Sequence, residues 1–285
     1  MVKVLRRWAP AKINLFLRVI GRRANGYHEL DSLFLPISLY DGVDIELRSA
    51  DSSTVELSCD SEAIPSGERN LAFRAALEFM AEFRVRAQVL IKLHKEIPAG
   101  AGLGGGSSDA GAVLQMMARL CGIGPSAALD AVAMRLGADV PFFLSPTPSR
   151  VRGIGERIEP LAEMKKPFLV IAIPPIEVLT ALVFRELRPE QWSGPAPDED
   201  VRAIVRGRFE PHHLVNDLEQ VATAKWPEIG ELKQLLAELG ARAAAMTGSG
   251  AGVFGIFASA TEACCACQQI ERRVPHVQAF SASGL

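Results

Sequence analysis

The stretch KEIPAGAGLGGGSSDAGAV, Lys95 to Val113, holds glycines at 100, 102, 104, 105, 106 and 111, and its paired serines stand directly before an apolar run of helical spacing. A glycine side chain is only a hydrogen, so consecutive backbone N–H groups can close around an anion. A helix starting just beyond adds about half a positive charge at its N-terminus. Ser107 and Ser108 offer hydroxyls to a phosphate or to the Mg²⁺ that accompanies it. The stretch reads as a phosphate cradle. A plain turn with Ser107 or Ser108 capping the helix is the rival reading; capping explains the serines but not so many glycines. Gly100 to Gly105 also satisfies G-x-G-x-x-G, yet a dinucleotide fold sets that motif straight after a strand and follows its helix with another strand. Here Lys95 to Pro98 intervene and a second helical pattern follows. A Walker A loop needs a lysine before its serine, and none is there.

Working outward, helical spacing appears after Asn70 with Phe73, Ala76, Leu77 and Met80 on one stripe. It returns at Val113, Met116, Met117 and Leu120, stopped by Gly122 and Pro125, and again at Leu129, Val132, Ala133 and Leu136, stopped by Gly137. Alternation with period two marks strands. Ile13, Leu15, Leu17 and Val19 share one face and Lys12, Asn14, Phe16 and Arg18 the other; Val43–Ser49 and Ala87–Leu93 alternate likewise. Arg188–Asp200, rich in proline, glycine and aspartate, reads as a surface loop. The last quarter reads helix (Glu228–Leu239), strand, TGSGAGVF, strand, helix (about 260–273), strand. Strands and helices without regular βαβ alternation predict an α+β architecture, with two domains, 1–160 and 161–285.

The chain has 285 residues, and 31 basic against 33 acidic side chains leave a net charge of −2, which gives no electrostatic case for nucleic acid or an anionic membrane. The apolar run at the start is broken by Lys12, Asn14 and Arg18, unlike a signal peptide, and Phe168–Ile176 is too short to span a bilayer. Five cysteines are an odd number for a disulfide framework. Cys264, Cys265 and Cys267 lie in a helical segment without a matching ligand pair, so they are expected to be small buried hydrophobes. These features predict a soluble cytoplasmic protein.

The sequence PAGAGLGGGSSDAG resembles the phosphate loop of the GHMP kinases, the family of galactokinase, homoserine kinase, mevalonate kinase and phosphomevalonate kinase. The resemblance runs in order from APAKINLFLRVIGRRANGYHELDSLF through GADVPFFL and GIGE to TGSGAGVF, nearly the whole chain. It implies two α+β domains with an active site in the cleft between them, ATP and Mg²⁺ as cofactors, and a cytidine diphosphate-linked polyol as acceptor. By the same resemblance Pro98, Gly100, Gly102, Leu103, Gly104, Gly105, Gly106, Ser107 and Ser108 form the nucleotide loop. Asp139 of GADVP is implied as the catalytic aspartate and Lys12 of PAKINL as its cationic neighbour; alone they read as a turn aspartate and a solvated strand lysine. Asn14 is carried over as an acceptor contact, whereas Arg18 is expected to be a surface charge. Tyr27, His28 and Phe184 are implied to hold the cytidine end, with Thr180 hydrogen-bonding nearby; without the family, Phe184 reads as core.

Asn70 and Lys95 are implied adenosine contacts, against rival readings as a helix cap and a solvated strand end. Asp109 follows the serines, where some relatives carry Asn, and near phosphates its carboxylate demands a partner. TGSGAGVF is either a second loop near the acceptor's phosphates or a tight strand connection. The rivals to this kinase are another small-molecule member, of homoserine or mevalonate type, and a catalytically inactive relative that binds.

Overall fold

The structure, a computed structural model, describes residues 2–161 and 163–285. The chain forms two compact units, Met1–Ala11 with Leu39–Ala99 and Gly104–Pro146, and Lys12–Ser38 with Gly100–Leu103 and Thr147–Leu285. These divisions differ from a single cut near residue 160, because the two long strands β1 (Val2–Arg22) and β2 (His28–Ser49) each contribute residues to both units.

In the first unit the far half of β2 pairs antiparallel with β4 (Ala87–His94), and β3 (Thr54–Cys59) lies parallel to β4. A parallel pair needs a crossover, supplied by α1 (Leu71–Glu82), so one β-α-β unit is present that the period-two segments did not announce. Along β4, Ala87, Val89, Ile91 and Leu93 point inward, as the alternation requires. α2 (Gly105–Cys121) and α3 (Ala127–Leu136) complete the core with α1.

The buried stripe of α1 is Ala72, Ala75, Ala76, Phe79 and Met80, rotated from the predicted stripe; Phe73 and Leu77 are only half-buried. Small residues let a helix approach its neighbour closely, so three alanines share the contact face with Phe79 and Met80. α3 buries Leu129, Val132, Ala133 and Leu136 as predicted and ends at Gly137, while Ser126 accepts a bond from Leu129 N at 3.3 Å. α2 ends at Gly122, whose φ of 71° suits the residue that closes it. Its start differs from expectation. Gly104, at φ 73°, is the capping residue and no side chain caps; Ser108 instead donates its hydroxyl to Pro10 O at 2.7 Å.

In the second unit β2 pairs with β5 (Ser149–Gly153), and β5 with β6 (Arg157–Pro160), both antiparallel. A second sheet runs β10-β7-β9-β8, all antiparallel, from β7 (Phe168–Ile173), β8 (Ala243–Met246), β9 (Val253–Phe257) and β10 (Gln278–Ser283). Helices α4 (Thr180–Glu186), α5 (Asp198–Val205), α6 (Glu219–Lys225), α7 (Pro227–Glu238) and α8 (Ala260–Arg273) belong to this unit. The final quarter follows its predicted order, and the α+β class holds. The expected loop at 188–200 ends in helix, since Asp198–Asp200 form the first turn of α5, where acidic side chains favour the helix dipole.

Two polar expectations are corrected. From Ala11 to Leu17, β1 is buried on both faces, so its polar side is no solvated face. Arg18 is largely buried, with an Nη2 3.8 Å from Asp200 and an Nε that finds no partner. Among the cysteines of α8, Cys267 is buried as predicted while Cys264 and Cys265 are exposed. Among the described residues no helix is long and apolar enough to cross a membrane.

Candidate active site

The glycine loop follows β4 after the segment Lys95–Pro98 and leads into α2, with a second helix, α3, behind it. Its middle section, Gly100 to Leu103, is held by backbone bonds. Lys12 N donates to Leu103 O at 2.9 Å, and Gly252 N donates to Ala101 O at 3.2 Å. The turn between β8 and β9, Thr247 to Gly252, therefore packs backbone to backbone on this section. Gly102 has a φ of 72°, and a Cβ there would sit 2.3 Å from Thr247 O. No side chain fits that gap. TGSGAGVF connects β8 to β9 by a tight turn, and that turn is the surface on which the loop rests.

Lys12 and Asn14 project from β1 into an ordered network. Lys12 is 3% exposed, and its Nζ donates to Asn14 Oδ1 at 2.6 Å while lying 4.8 Å from the centre of the Phe34 ring. Asn14 Nδ2 donates to Ser32 Oγ at 2.9 Å, and the Ser32 hydroxyl donates in turn to Phe16 O at 2.5 Å. The Lys12 ammonium on one side and the Ser32 hydroxyl on the other fix the amide with its oxygen toward the lysine and its nitrogen toward the serine. The Asn14 N–H is taken by Thr247 Oγ1 at 3.0 Å, which joins the strand to the same turn that supports the glycine loop.

Asp139 lies in the first unit, half-buried, in the turn that follows α3, where Val140 N bonds back to Gly137 O at 3.1 Å.

The predicted cytidine contacts come together in part. His28, at the start of β2, stacks on Phe184 of α4 with ring centres 5.1 Å apart and 30° between planes. Trp192 meets the same imidazole edge-on at 6.1 Å, a residue that sequence reasoning missed because it sits in a stretch read as loop. Burial, with a smaller contribution from Arg22, lowers the His28 pKa and favours the neutral ring. Phe184 also packs against the second unit's core, so both readings of it apply. Tyr27 is 61% exposed and stacks on neither ring; its N–H bonds Asn25 Oδ1 at 3.2 Å in the turn between β1 and β2. Thr180 shares a hydroxyl–hydroxyl bond of 2.7 Å with Ser249.

Asn70 caps α1, accepting from Ala72 N at 2.9 Å and donating to Pro65 O at 2.9 Å. Lys95 is no solvated strand end: its Nζ is buried and bridges Asp41 and Asp109, the latter at 2.6 Å. Asp109 thus has the partner its charge demands. In the other unit a second buried pair, Arg150 with Asp31 at 2.7 Å, also escaped the sequence reading. The signal available was only an aspartate among apolar strand residues.

Comparison with known proteins assigns the class. The family model of the GHMP kinases N terminal domain matches residues 70–146, and that of the GHMP kinases C terminal region matches 198–273. A solved homoserine kinase from Cytophaga hutchinsonii shares the fold, with a TM-score of 0.75 at 18% identity over 99% of this chain and 94% of that one. The chain belongs to the GHMP kinases.

Within them its relatives are more particular. It is 40% identical over 266 residues to the 4-diphosphocytidyl-2-C-methyl-D-erythritol kinase of Syntrophotalea carbinolica, covering 93% of this chain and 94% of that one. It is 41% identical over 274 residues to the enzyme of the same name from Geobacter metallireducens, covering 94% and 95%. A crystal structure of 4-(cytidine 5'-diphospho)-2C-methyl-D-erythritol kinase superimposes with a TM-score of 0.85 at 38% identity, over 98% of this chain and 99% of that one.

Proposed function

We propose that the protein transfers the γ-phosphoryl group of ATP to the 2-hydroxyl of 4-diphosphocytidyl-2-C-methyl-D-erythritol, a step of the methylerythritol phosphate route to isoprenoid precursors. The observation that carries this reading is the match to enzymes of that name along nearly the whole chain at about 40% identity. The division into an N-terminal nucleotide-binding domain, 1–160, and a C-terminal domain, 161–285, is part of the proposal. It is supported by family models that fall wholly on either side of that boundary.

Phosphoryl transfer is mostly positioning and charge neutralisation. The loop from Pro98 to Ser108 offers backbone N–H groups and the start of α2 to the phosphates. Among the described residues no group of three His, Cys, Asp or Glu could hold a metal. Mg²⁺ needs no such group, because it is bound through one or two protein oxygens and otherwise by substrate phosphates and water. The hydroxyl of Ser107 is the protein group that would meet it, since Ser108 is buried and donates its own to Pro10 O at 2.7 Å, and when bound the ion would neutralise charge on the β- and γ-phosphates.

Asp139 accepts or orients the acceptor hydroxyl. Lys12, held by Asn14 and desolvated beside Phe34, provides fixed positive charge for the developing alkoxide. His28 and Phe184, with Tyr27, hold the cytosine, and Thr180 hydrogen-bonds nearby. A neutral imidazole suits this place, since it can donate from one nitrogen and accept at the other. Asn70 lies beside the adenosine. Its caps on Ala72 and Pro65 leave a second lone pair and a second N–H for a ligand.

The testing experiment follows ADP release with ATP, Mg²⁺ and the cytidylylated acceptor, beside homoserine and mevalonate. Turnover with the cytidylylated acceptor alone is expected. Turnover with either other alcohol instead would reassign the enzyme within its family.

A further inference from the structure

The segment before the glycine loop and the helix after it are joined by a buried ionic cluster. Asp41, in β2, is fully buried. Its Oδ1 accepts the N–H of Glu96 at 2.7 Å and that of Ile97 at 2.9 Å, the residues that lead into the loop. Its Oδ2 accepts the ammonium of Lys95, which also donates to Asp109 Oδ2 at 2.6 Å, and Asp109 lies in α2 just beyond the loop. Gly105, where α2 begins, presses on the same cluster. A Cβ there would lie 3.0 Å from Ile97 Cγ2 and 3.5 Å from Asp41 Oδ2.

We infer that Asp41, Lys95 and Asp109 are positioning residues which clasp the entrance and exit of the phosphate loop and thereby set its affinity for the nucleotide triphosphate. The inference rests on the phosphate-loop reading above. Stability alone accounts poorly for such a cluster. Burying three charges costs several kcal/mol of hydration, and apolar replacements of buried ion groups are often neutral or stabilising. Geometry accounts for it better. One carboxylate ties down two successive N–H groups at the loop's entrance, and one ammonium links that carboxylate to the helix at its exit. The loop therefore cannot widen unless a buried charge loses its partner. Lys95 uses two of its three N–H donors in this way, so its main action on the nucleotide passes through the loop rather than through direct contact. Asp109 is held on one side only, and its Oδ1 is buried with no hydrogen-bond partner. A side chain placed there for packing would not carry that oxygen, whereas the oxygen facing Lys95 is the one the clasp requires.

The experiment measures ATP affinity by calorimetry and the KM of each substrate in Asp109→Ala, Asp109→Asn, Lys95→Arg and Gly104→Val. Asp109→Ala cuts the link to α2 and is expected to weaken ATP binding about 10- to 100-fold, in the range of losses from small misplacements of binding groups. The acceptor KM should stay within about twofold. Asp109→Asn, which keeps an oxygen for Lys95, should retain most of the ATP affinity; that rescue separates positioning from bulk stability. Lys95→Arg keeps the charge and with it the fold, but moves the bridging point, so the same selective loss is expected if Asp109→Ala gives no soluble protein. Gly104→Val fills the loop itself and should abolish ATP binding. Unchanged ATP affinity in Asp109→Ala or Lys95→Arg, with Gly104→Val inactive, overturns the clasp and leaves the loop assignment standing. Equal losses for both substrates with a lowered melting temperature would make the cluster merely structural, which also overturns it. Normal ATP binding in Gly104→Val removes the loop reading itself.

Discussion

At Lys12 and Asp139 the chemistry of the proposed reaction concerns an alcohol that must lose its proton while negative charge builds on oxygen. Lys12 is nearly inaccessible to water and fixed by Asn14, so its charge need not reorganise during the reaction. Replacing Asp139 with Asn removes the carboxylate proposed to accept or orient the hydroxyl while keeping the side chain's size. Asp139→Asn is expected to lower kcat about 100-fold or more with ATP affinity nearly kept. Steady-state turnover together with nucleotide titration checks this, and wild-type turnover in the purified variant would remove the aspartate from the mechanism. Phe184 tests the other end of the acceptor. Its ring stacks on His28, so Phe184→Ala takes away one flat face and also the support of the imidazole. A loss of about 5- to 150-fold in kcat/KM for the acceptor is expected, matching roughly 1–3 kcal/mol for a base stack, with the KM for ATP unchanged. Equal losses for both substrates would show that only its contact with the core matters.

At the scale of elements, the support of the glycine loop by the β8–β9 turn separates two glycines that look alike in sequence. Gly100 and Gly102 both have left-handed φ, 70° and 72°, but a Cβ at Gly100 meets nothing within 4 Å, whereas at Gly102 it strikes the Thr247 carbonyl. Gly100→Ala should bear only the backbone term of about 1–2 kcal/mol. Gly102→Ala must also push two backbones apart, and its melting temperature should lie at least about 3 °C below that of Gly100→Ala. Equal melting of the two variants would mean that the loop does not rest on that turn. The Thr247–Gly252 turn was visible in the sequence as glycines, but its partner was not, since residues 102 and 247 lie far apart along the chain. Period and stop signals did locate α3, α7 and α8, whose ends are marked locally by Ser126, Gly137, Pro227 and Ser259. They failed at β1, where Lys12 and Asn14 alternate with apolar residues as a solvated face would. What encloses these two is Phe34, Ser32 and Thr247, contributed by distant segments. They failed at Arg18 and Lys95 for the same reason: a buried charge is recognised by its partner, and Asp200, Asp41 and Asp109 are not neighbours in sequence.

At the scale of the whole molecule, titration of these charges sets how stability varies with pH. Arg6 holds Asp44 below the usual carboxylate range, and Arg23 does the same for Glu29. Such groups stabilise the fold above their unfolded pKa near 4, and that stabilisation is lost as the pH falls through their folded values. Asp109 acts in the opposite sense. Burial, joined by the neighbouring charge of Asp41 and only partly offset by Lys95, pushes its pKa up to about 7 from 3.8. Between those two values the folded state binds a proton that the unfolded state has released, so stability falls as the pH rises through this window. Above the window the cost of keeping the carboxylate ionised is constant. Asp109→Asn removes the titration and keeps an oxygen for Lys95, so its advantage over wild type should grow from pH 4 to pH 7 and then level off. Melting temperatures of both proteins at half-unit steps from pH 4.5 to 8.5 provide the check. The wild-type curve is expected to fall by about 3 °C or more, relative to the variant, across the window. Parallel curves would show that Asp109 stays ionised throughout, with Lys95 outweighing burial. The clasp on the loop would then be a fully charged triad at every pH in that range.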